Sequence, residues 1–397
     1  MKNTAGLFLG MVFTIIFSLS ALGQKNNEIQ TLNVKNNLDF DRKEVVALPV
    51  KNITNFLKGK DEKAIRIKNN ASEEFIPLQW IDYNSDGKSD ELLFQAEVKA
   101  NETAVYTLVN AAATPLPTVK ITTFSRFVPE RTDDYAWEND KVAFRTYGPD
   151  AQKRAEEHRE NGTLSSGIDL WLKRTSDPVI NNWYKGYLTD PMFYHTDRGE
   201  GYDPYHVGAS RGTGGSGIWT GDSLLVSKNF TSYKTIATGP IRTVFELTYA
   251  PWSDYEVKET KRISLDLGSN FSKFEITYSS KKPLPNYTIG ISLHKKEGQW
   301  SLFKERGVFI HNETIDNLFV GEGIVIDPAV VQDAFANLSE TPDQSNLLVV
   351  TKAASKLTYY AGFAWQNDLE ATDKAEWLAL VRNQTQIVAS PLEVIIK

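Results

Sequence analysis

Hydrophobic and polar positions alternate in short segments along most of this chain, and turn residues separate them. Val45–Val50, Ala64–Ile67, Phe75–Trp80, Glu91–Val98 and Thr103–Val109 read as strands, enough for a small β-sandwich. An Ala-Thr-Pro stretch over 111–117 follows and reads as a linker. Beyond it the segments lengthen. Lys141–Tyr147, Ile168–Lys173, Ser223–Ser232, Ile236–Thr248, Val257–Asp266, Phe271–Ser279, Tyr287–His294, Leu347–Lys352 and Leu357–Trp365 all carry strand patterns. Two stretches read as helices. Pro328–Leu338 has Asp327 as N-cap and proline at the first helical position. Thr372–Gln384 carries a stripe at Trp377, Leu380 and Val381.

This pattern predicts a mostly β protein, a large antiparallel β-sandwich with a small N-terminal β-domain. The expected division is 1–23 signal peptide, 24–118 small β-domain and 119–397 sandwich. Patterning alone does not separate a mutarotase-like supersandwich from a jelly roll. Lys2, the apolar run Leu7–Leu22 and small residues before Gln24 fit a cleaved export signal, so a periplasmic or secreted protein is expected. No later stretch is apolar enough to span a bilayer, so no stable membrane insertion is expected.

Composition sharpens this in two ways. The 397 residues include 20 Phe, 16 Tyr and 9 Trp, side chains whose faces stack on sugar rings, and no cysteine, which excludes disulfides and thiolate metal sites. A net charge of −6 gives no reason to expect nucleic acid as a partner.

Candidate chemistry gathers in 183–219. Here His195 and His206 lie among Trp183, Tyr184, Tyr187, Phe193, Tyr194, Tyr202, Tyr205 and Trp219, with Arg211 and seven glycines between Gly199 and Gly217. The glycines predict a long shaped loop rather than a regular element, with 212–217 as a flexible rim beside a sugar site. The two histidines lack a standard metal-ligand spacing, so no metal is assigned to the site. His294 and His311 fall in strand patterns and read as structural residues, and His158 as solvated. On a strand, Ala143, Arg145 and Tyr147 share one face, where Arg145 can clamp a carboxylate. Asp169, Trp171 and Lys173 share a face that is either solvated or lines a groove, with solvation slightly favoured.

Asp82, Asn84, Asp86 and Asp90 space oxygens as in a calcium loop, with Gly87 at its sixth position. The twelfth position is Leu93 and no helix precedes the loop, so a polar turn joining two strands is the competing reading. No other cofactor is expected. There is no G-x-S-x-G elbow and no P-loop.

The segments 137–149, 167–174 and 194–215, together with 239–252 and 359–366, resemble domain-of-unknown-function family 4861 (DUF4861) from about Val45 to the C-terminus. The resemblance implies a mutarotase-like sandwich from a polysaccharide-utilisation gene cluster. It also implies the activity of an oligosaccharide dehydratase of ulvan breakdown, which removes water from a saturated uronic acid. Relatives commonly carry Lys at the position of His206 and His at that of Arg198, while His195, Glu200 and Gly201 fit the pattern.

Eliminating the 4-hydroxyl of a uronate needs a base for the C5 proton, a cation on the carboxylate and an acid for the leaving group. The expected catalytic set is His195 as base or acid, His206 or Tyr205 as its partner, and Arg211 with Arg145 on the carboxylate. Trp137, Tyr147, Trp171, Lys173 and Tyr194 are expected to bind or shape the substrate. The partner expected is an acidic oligosaccharide. A polysaccharide lyase would break a glycosidic bond by the same β-elimination. A glycan-binding protein would need no base, an epimerase would change no mass, and no local motif singles out the two acids of a glycosidase.

Overall fold

A computed structural model describes residues 29–367 and 373–397. The expected signal peptide, and Thr372 of the second expected helix, lie outside the described residues. Among the described residues, no helix is long and apolar enough to cross a membrane.

The chain forms antiparallel sheets in two sandwiches. In the first, a five-stranded sheet has the order Glu393–Ile396, Ile29–Lys35, Thr103–Asn110, Ile65–Asn69, Phe75–Ile76. It faces a three-stranded sheet of Arg42–Pro49, Glu91–Val98 and Leu78–Ile81. Strand alternation places Leu32, Val34, Leu48, Ile67, Phe94 and Leu108 in the space between them. The last strand of the chain therefore returns to the first sandwich, with Val394 opposite Val34. The sequence pattern had grouped those residues with the second unit, because pairing partners far apart in sequence leave no local trace.

The second sandwich is built on an eight-stranded sheet. Its order is Phe230–Thr238, Arg242–Tyr249, Lys258–Asp266, Phe271–Ser279, Lys356–Trp365, Leu318–Ile326, Val308–Ile315, Gln299–Phe303. Two five-stranded sheets share one continuous core with it. One runs from Phe124–Val128 through Asp134–Glu138, Ala143–Thr146 and Asp169–Lys173 to Gly201–Tyr202. The other contains Thr213–Trp219, Tyr287–Ser292, Asn346–Thr351 and Val331–Asn337. Trp137, Phe144, Leu170, Phe245, Phe274, Ile289, Val349 and Phe363 are buried together there. The protein is thus mostly β, with a large antiparallel sandwich beside a small one.

Three sequence expectations change. Pro328–Leu338 is a single 3₁₀ turn, Pro328–Val330, followed by the strand Val331–Asn337. The cap is real, since Asp327 accepts from the Ala329 amide, but pairing with Asn346–Thr351 takes the chain after one turn. The 183–219 stretch is not one loop. Trp183, Tyr184 and Tyr187 lie on the helix Ile180–Tyr187, and the glycine-rich end is a buried strand, Thr213–Trp219. That strand tolerates so many glycines because neighbouring backbone passes close by: a Cβ on Gly215 would sit 2.4 Å from the Arg211 carbonyl oxygen. Finally, the Asp169–Trp171–Lys173 face is neither solvated nor a groove. The helix Ile180–Tyr187 covers it, and all three residues are fully buried.

The second helix, Lys374–Ala389, starts where Asp373 accepts from the amides of Ala375 and Glu376. Trp377 and Val381 pack on Phe271, Ile310 and Val325, on the outer face of the large sheet. This leaves Lys374 at the mouth of the cleft described next.

Candidate functional site

Two clusters of charged and aromatic side chains lie on either side of the segment Asp203–His206. The first surrounds Arg145. Its Nε donates to Asp169 (2.8 Å), Nη1 to the Tyr194 hydroxyl (3.1 Å) and Nη2 to Asp203 (2.9 Å). Asp134 lies 3.7 Å away and accepts from the Tyr184 hydroxyl. The guanidinium packs 5.3 Å from the Tyr147 ring and 5.4 Å from the Trp171 ring. Burial pushes Asp134 up to about 6 against the attraction of Arg145, and burial raises Asp203 well above the usual carboxylate range.

Arg145 is 4 % exposed, and Trp137, Trp171, Lys173 and Tyr194 are 1 % or less. These expected substrate-binding residues therefore present no surface to a ligand. Lys173 donates to Glu138 and to the Asn139 carbonyl, and Glu138 accepts from the amides of Val179 and Ile180 where the next helix begins. Trp137 donates to Ser272. Asp169, Trp171 and Lys173 share one face, as their alternation predicts. What covers that face is the aromatic helix, not a sugar.

Arg211 is also turned inward. It is 1 % exposed and donates to Ser166 and to the carbonyls of Ser216 and Ala209, while burial lowers its pKa to about 10. It braces the backbone of the glycine-rich strand and is not placed to clamp a carboxylate.

His195 sits at the rim of the first cluster, about one-third exposed at its side chain. Its Nδ1 lies 2.8 Å from the Asp203 carbonyl, and a carbonyl can only accept, so Nδ1 carries the proton. Burial favours the neutral ring, lowering its pKa. His195 does not line the cleft.

The second cluster opens to solvent through a cleft of about 720 Å³, lined by Pro204, His206, His294, Glu313, Phe319 and Asp343, with Lys295 and Lys374 also on its wall. His206 is exposed, and its Nε2 lies 3.2 Å from both Asp343 oxygens. Gly208 makes this pair possible: its φ is +49°, and a Cβ there would meet the Asp343 carboxylate. His294 donates from Nδ1 to Glu313 (2.8 Å) and from Nε2 to the His206 carbonyl (2.7 Å). Burial would lower its pKa, but the bond to Glu313 outweighs this and raises it to about 9. Behind it Tyr205 donates to Glu322 (3.0 Å), and His311 Nδ1 lies 2.8 Å from the other Glu322 oxygen. Burial, with the charge of Glu313, pushes Glu322 up to about 7. Tyr205 and His206, expected as alternative partners of His195, therefore share this site with four residues that were not expected there: His294, Glu313, Glu322 and Asp343.

A signal for part of this was present. His311 and Glu313 are two apart on the strand Val308–Ile315, hence on one face, and Glu322 pairs directly opposite His311 on the neighbouring strand. The calcium-like loop is a turn between the strands Leu78–Ile81 and Glu91–Val98. Asp82 accepts from the amides of Ser85 and Gly87, Asn84 from that of Asp86, and Asp90 from that of Tyr83.

The fold and cleft define a sandwich protein with a polar, acid–base-rich groove at one end of its large sheet. Residues 34–394 match the Domain of unknown function (DUF4861), and the chain belongs to that family. It is 40 % identical over 402 residues to Uncharacterized protein P7 of Formosa agariphila, covering 100 % of both chains. Among solved structures, it resembles a protein in the glycosyl hydrolase family 38 from Enterococcus faecalis, with a TM-score of 0.51 and 9 % identity. That likeness covers 93 % of this chain and 47 % of the other, so this chain spans about half the length of that protein, and what is shared is the fold. An alpha-mannosidase from Enterococcus faecalis gives a TM-score of 0.45 at 8 % identity, over 93 % of this chain and 46 % of the other.

Proposed function

We propose that this protein is an exported oligosaccharide dehydratase. In this reading it removes water from a saturated uronic acid at the non-reducing end of an acidic polysaccharide fragment such as ulvan, leaving the 4,5-unsaturated uronate. The observation that carries the reading is His206: a solvent-facing imidazole on a cleft wall, with the Asp343 carboxylate at its Nε2 and two lysines nearby.

The chemistry follows from those groups. Lys295 and Lys374, not Arg145 and Arg211, hold the uronate carboxylate and make the C5 proton more acidic. With Nε2–H directed at Asp343, the Nδ1 lone pair of His206 takes the C5 proton. The electrons of the C5–H bond form the C4–C5 double bond, and the C4–O bond breaks. The same imidazolium, steadied by Asp343, returns the proton to the departing hydroxyl, which leaves as water. His294 is held as a cation by its two hydrogen bonds, so it supplies field rather than basicity. Phe319, half-buried on the wall, offers a face to a sugar ring.

Incubation with saturated oligouronates followed by mass spectrometry tests this. Loss of one water without chain shortening supports it. Two fragments would mean a lyase. Binding with no mass change would mean a binding protein or an epimerase.

A further inference from the structure

We propose that His294, Glu313 and Glu322 form a binding site for one divalent first-row transition-metal ion, with His311 positioning Glu322 from behind. A ligand atom from each of the three lies within 4.8 Å of the others. Modest side-chain closure would bring all three to the ligand distances of about 2.0–2.2 Å that such ions take.

The supports of these groups resemble those of metal ligands. The Nε2 of His294 is anchored on the His206 carbonyl at 2.7 Å, so when the ring is neutral its proton sits there and Nδ1 becomes the ligand atom. Glu322 receives the Tyr205 hydroxyl on one oxygen and His311 on the other, which fixes the orientation of a fully buried carboxylate. Carboxylate oxygens of Glu313 and Glu322 lie within 4.8 Å of each other, a spacing that favours a proton or a cation between them.

His311 is 1 % exposed, and its Nε2 has no hydrogen-bond partner among the described residues. That nitrogen faces Gly298 on the cleft wall, where a Cβ would sit 2.1 Å from it. A buried imidazole left half-satisfied costs stability, while its other nitrogen, Nδ1, holds the Glu322 carboxylate of the cluster. Two carboxylates and one neutral imidazole balance a divalent ion in charge, and such mixed nitrogen and oxygen donors suit Mn²⁺, Co²⁺ or Zn²⁺. His294 and Glu313 both line the cleft, so an ion has a path from solvent. The inference stands whether or not the cleft eliminates water.

The test uses the untagged, chelator-treated chain without any sugar. Zn²⁺, Mn²⁺ and Co²⁺ are titrated separately by calorimetry, and Co²⁺ also by its visible absorption. One ion per chain is expected for at least one metal, with affinity rising with pH as protons are displaced. Glu322→Gln and His294→Ala should each weaken binding at least about tenfold, and His158→Ala, exposed and outside the cleft lining, should not. Far-ultraviolet circular dichroism checks each fold, so that either variant suffices if the other misfolds. Absence of saturable binding, or binding equally tight in both site variants, overturns the proposal.

Discussion

The two clusters flanking Asp203–His206 are made of nearly the same materials and differ in one respect, access to water. Around Arg145, three aspartates share one guanidinium under aromatic rings, and one oxygen each of Asp134 and Asp203 is left without a hydrogen-bond partner among the described residues. Around His294, two glutamates and two imidazoles meet at the wall of an open cleft. Composition alone does not distinguish them. A covered ionic network holds the sheet to its helix, whereas one at the wall of an open cleft is free to take up a proton, an ion or a substrate.

The contrast breaks most severely at Arg145. Arg145→Ala leaves Asp134, Asp169 and Asp203 buried without their counter-ion, and the expected loss is about 3–5 kcal/mol of stability. Urea denaturation reads this directly, and an unchanged midpoint would show that the cluster is not the keystone described. His206→Ala should do the reverse: a fall of roughly 10²–10⁴-fold in water elimination, with a melting temperature close to that of the parent. Retained turnover in that variant would remove His206 from the chemistry.

The pH dependence of stability sharpens the comparison further. In the metal-free folded protein His294 titrates near 9, against about 6.5 when unfolded. A raised histidine contributes stability that is complete below about 6.5 and lost as pH rises through about 9. Glu322, raised to about 7, adds a decline of the same sign between about 4.5 and 7. Stability should therefore fall between pH 7 and 9 by on the order of 2 kcal/mol. His294→Gln should flatten that slope, and a slope unchanged in the variant would place its origin elsewhere. Smaller effects are expected at the rim. Lys295→Ala should raise KM about three- to tenfold with little change in kcat. His195→Ala, outside the cleft, should alter turnover by less than about threefold.

Much of the architecture was legible because burial writes a period of two into strands. The segments at Glu91–Val98, Lys258–Asp266 and Phe271–Ser279 were recovered nearly to the residue. The helix expected to end at Gln384 is present but runs on to Ala389. Pro328–Leu338 misled because its capping signal is genuine and local, while the strand pairing that overrides it is remote. The site was only half legible for a related reason. Tyr205 and His206 sit in a conspicuous aromatic, glycine-rich stretch, but density of reactive side chains does not report which way they point. Trp137, Trp171, Lys173 and Arg211 point inward. His294, Glu313, Glu322 and Asp343 come from four separate segments, and only the His311–Glu313 alternation marks any of them locally.

The pairing of Glu393–Ile396 with Ile29–Lys35 has a bearing on how the molecule is made. The small sandwich, whose other strands emerge first during synthesis, lacks an edge until the final residues arrive. Its first strand waits with one side unpaired while the entire large sandwich is produced. The two ends of the described chain thus close together, like a clasp, and removal of Glu393–Ile396 would reopen an apolar seam along Ile29–Lys35.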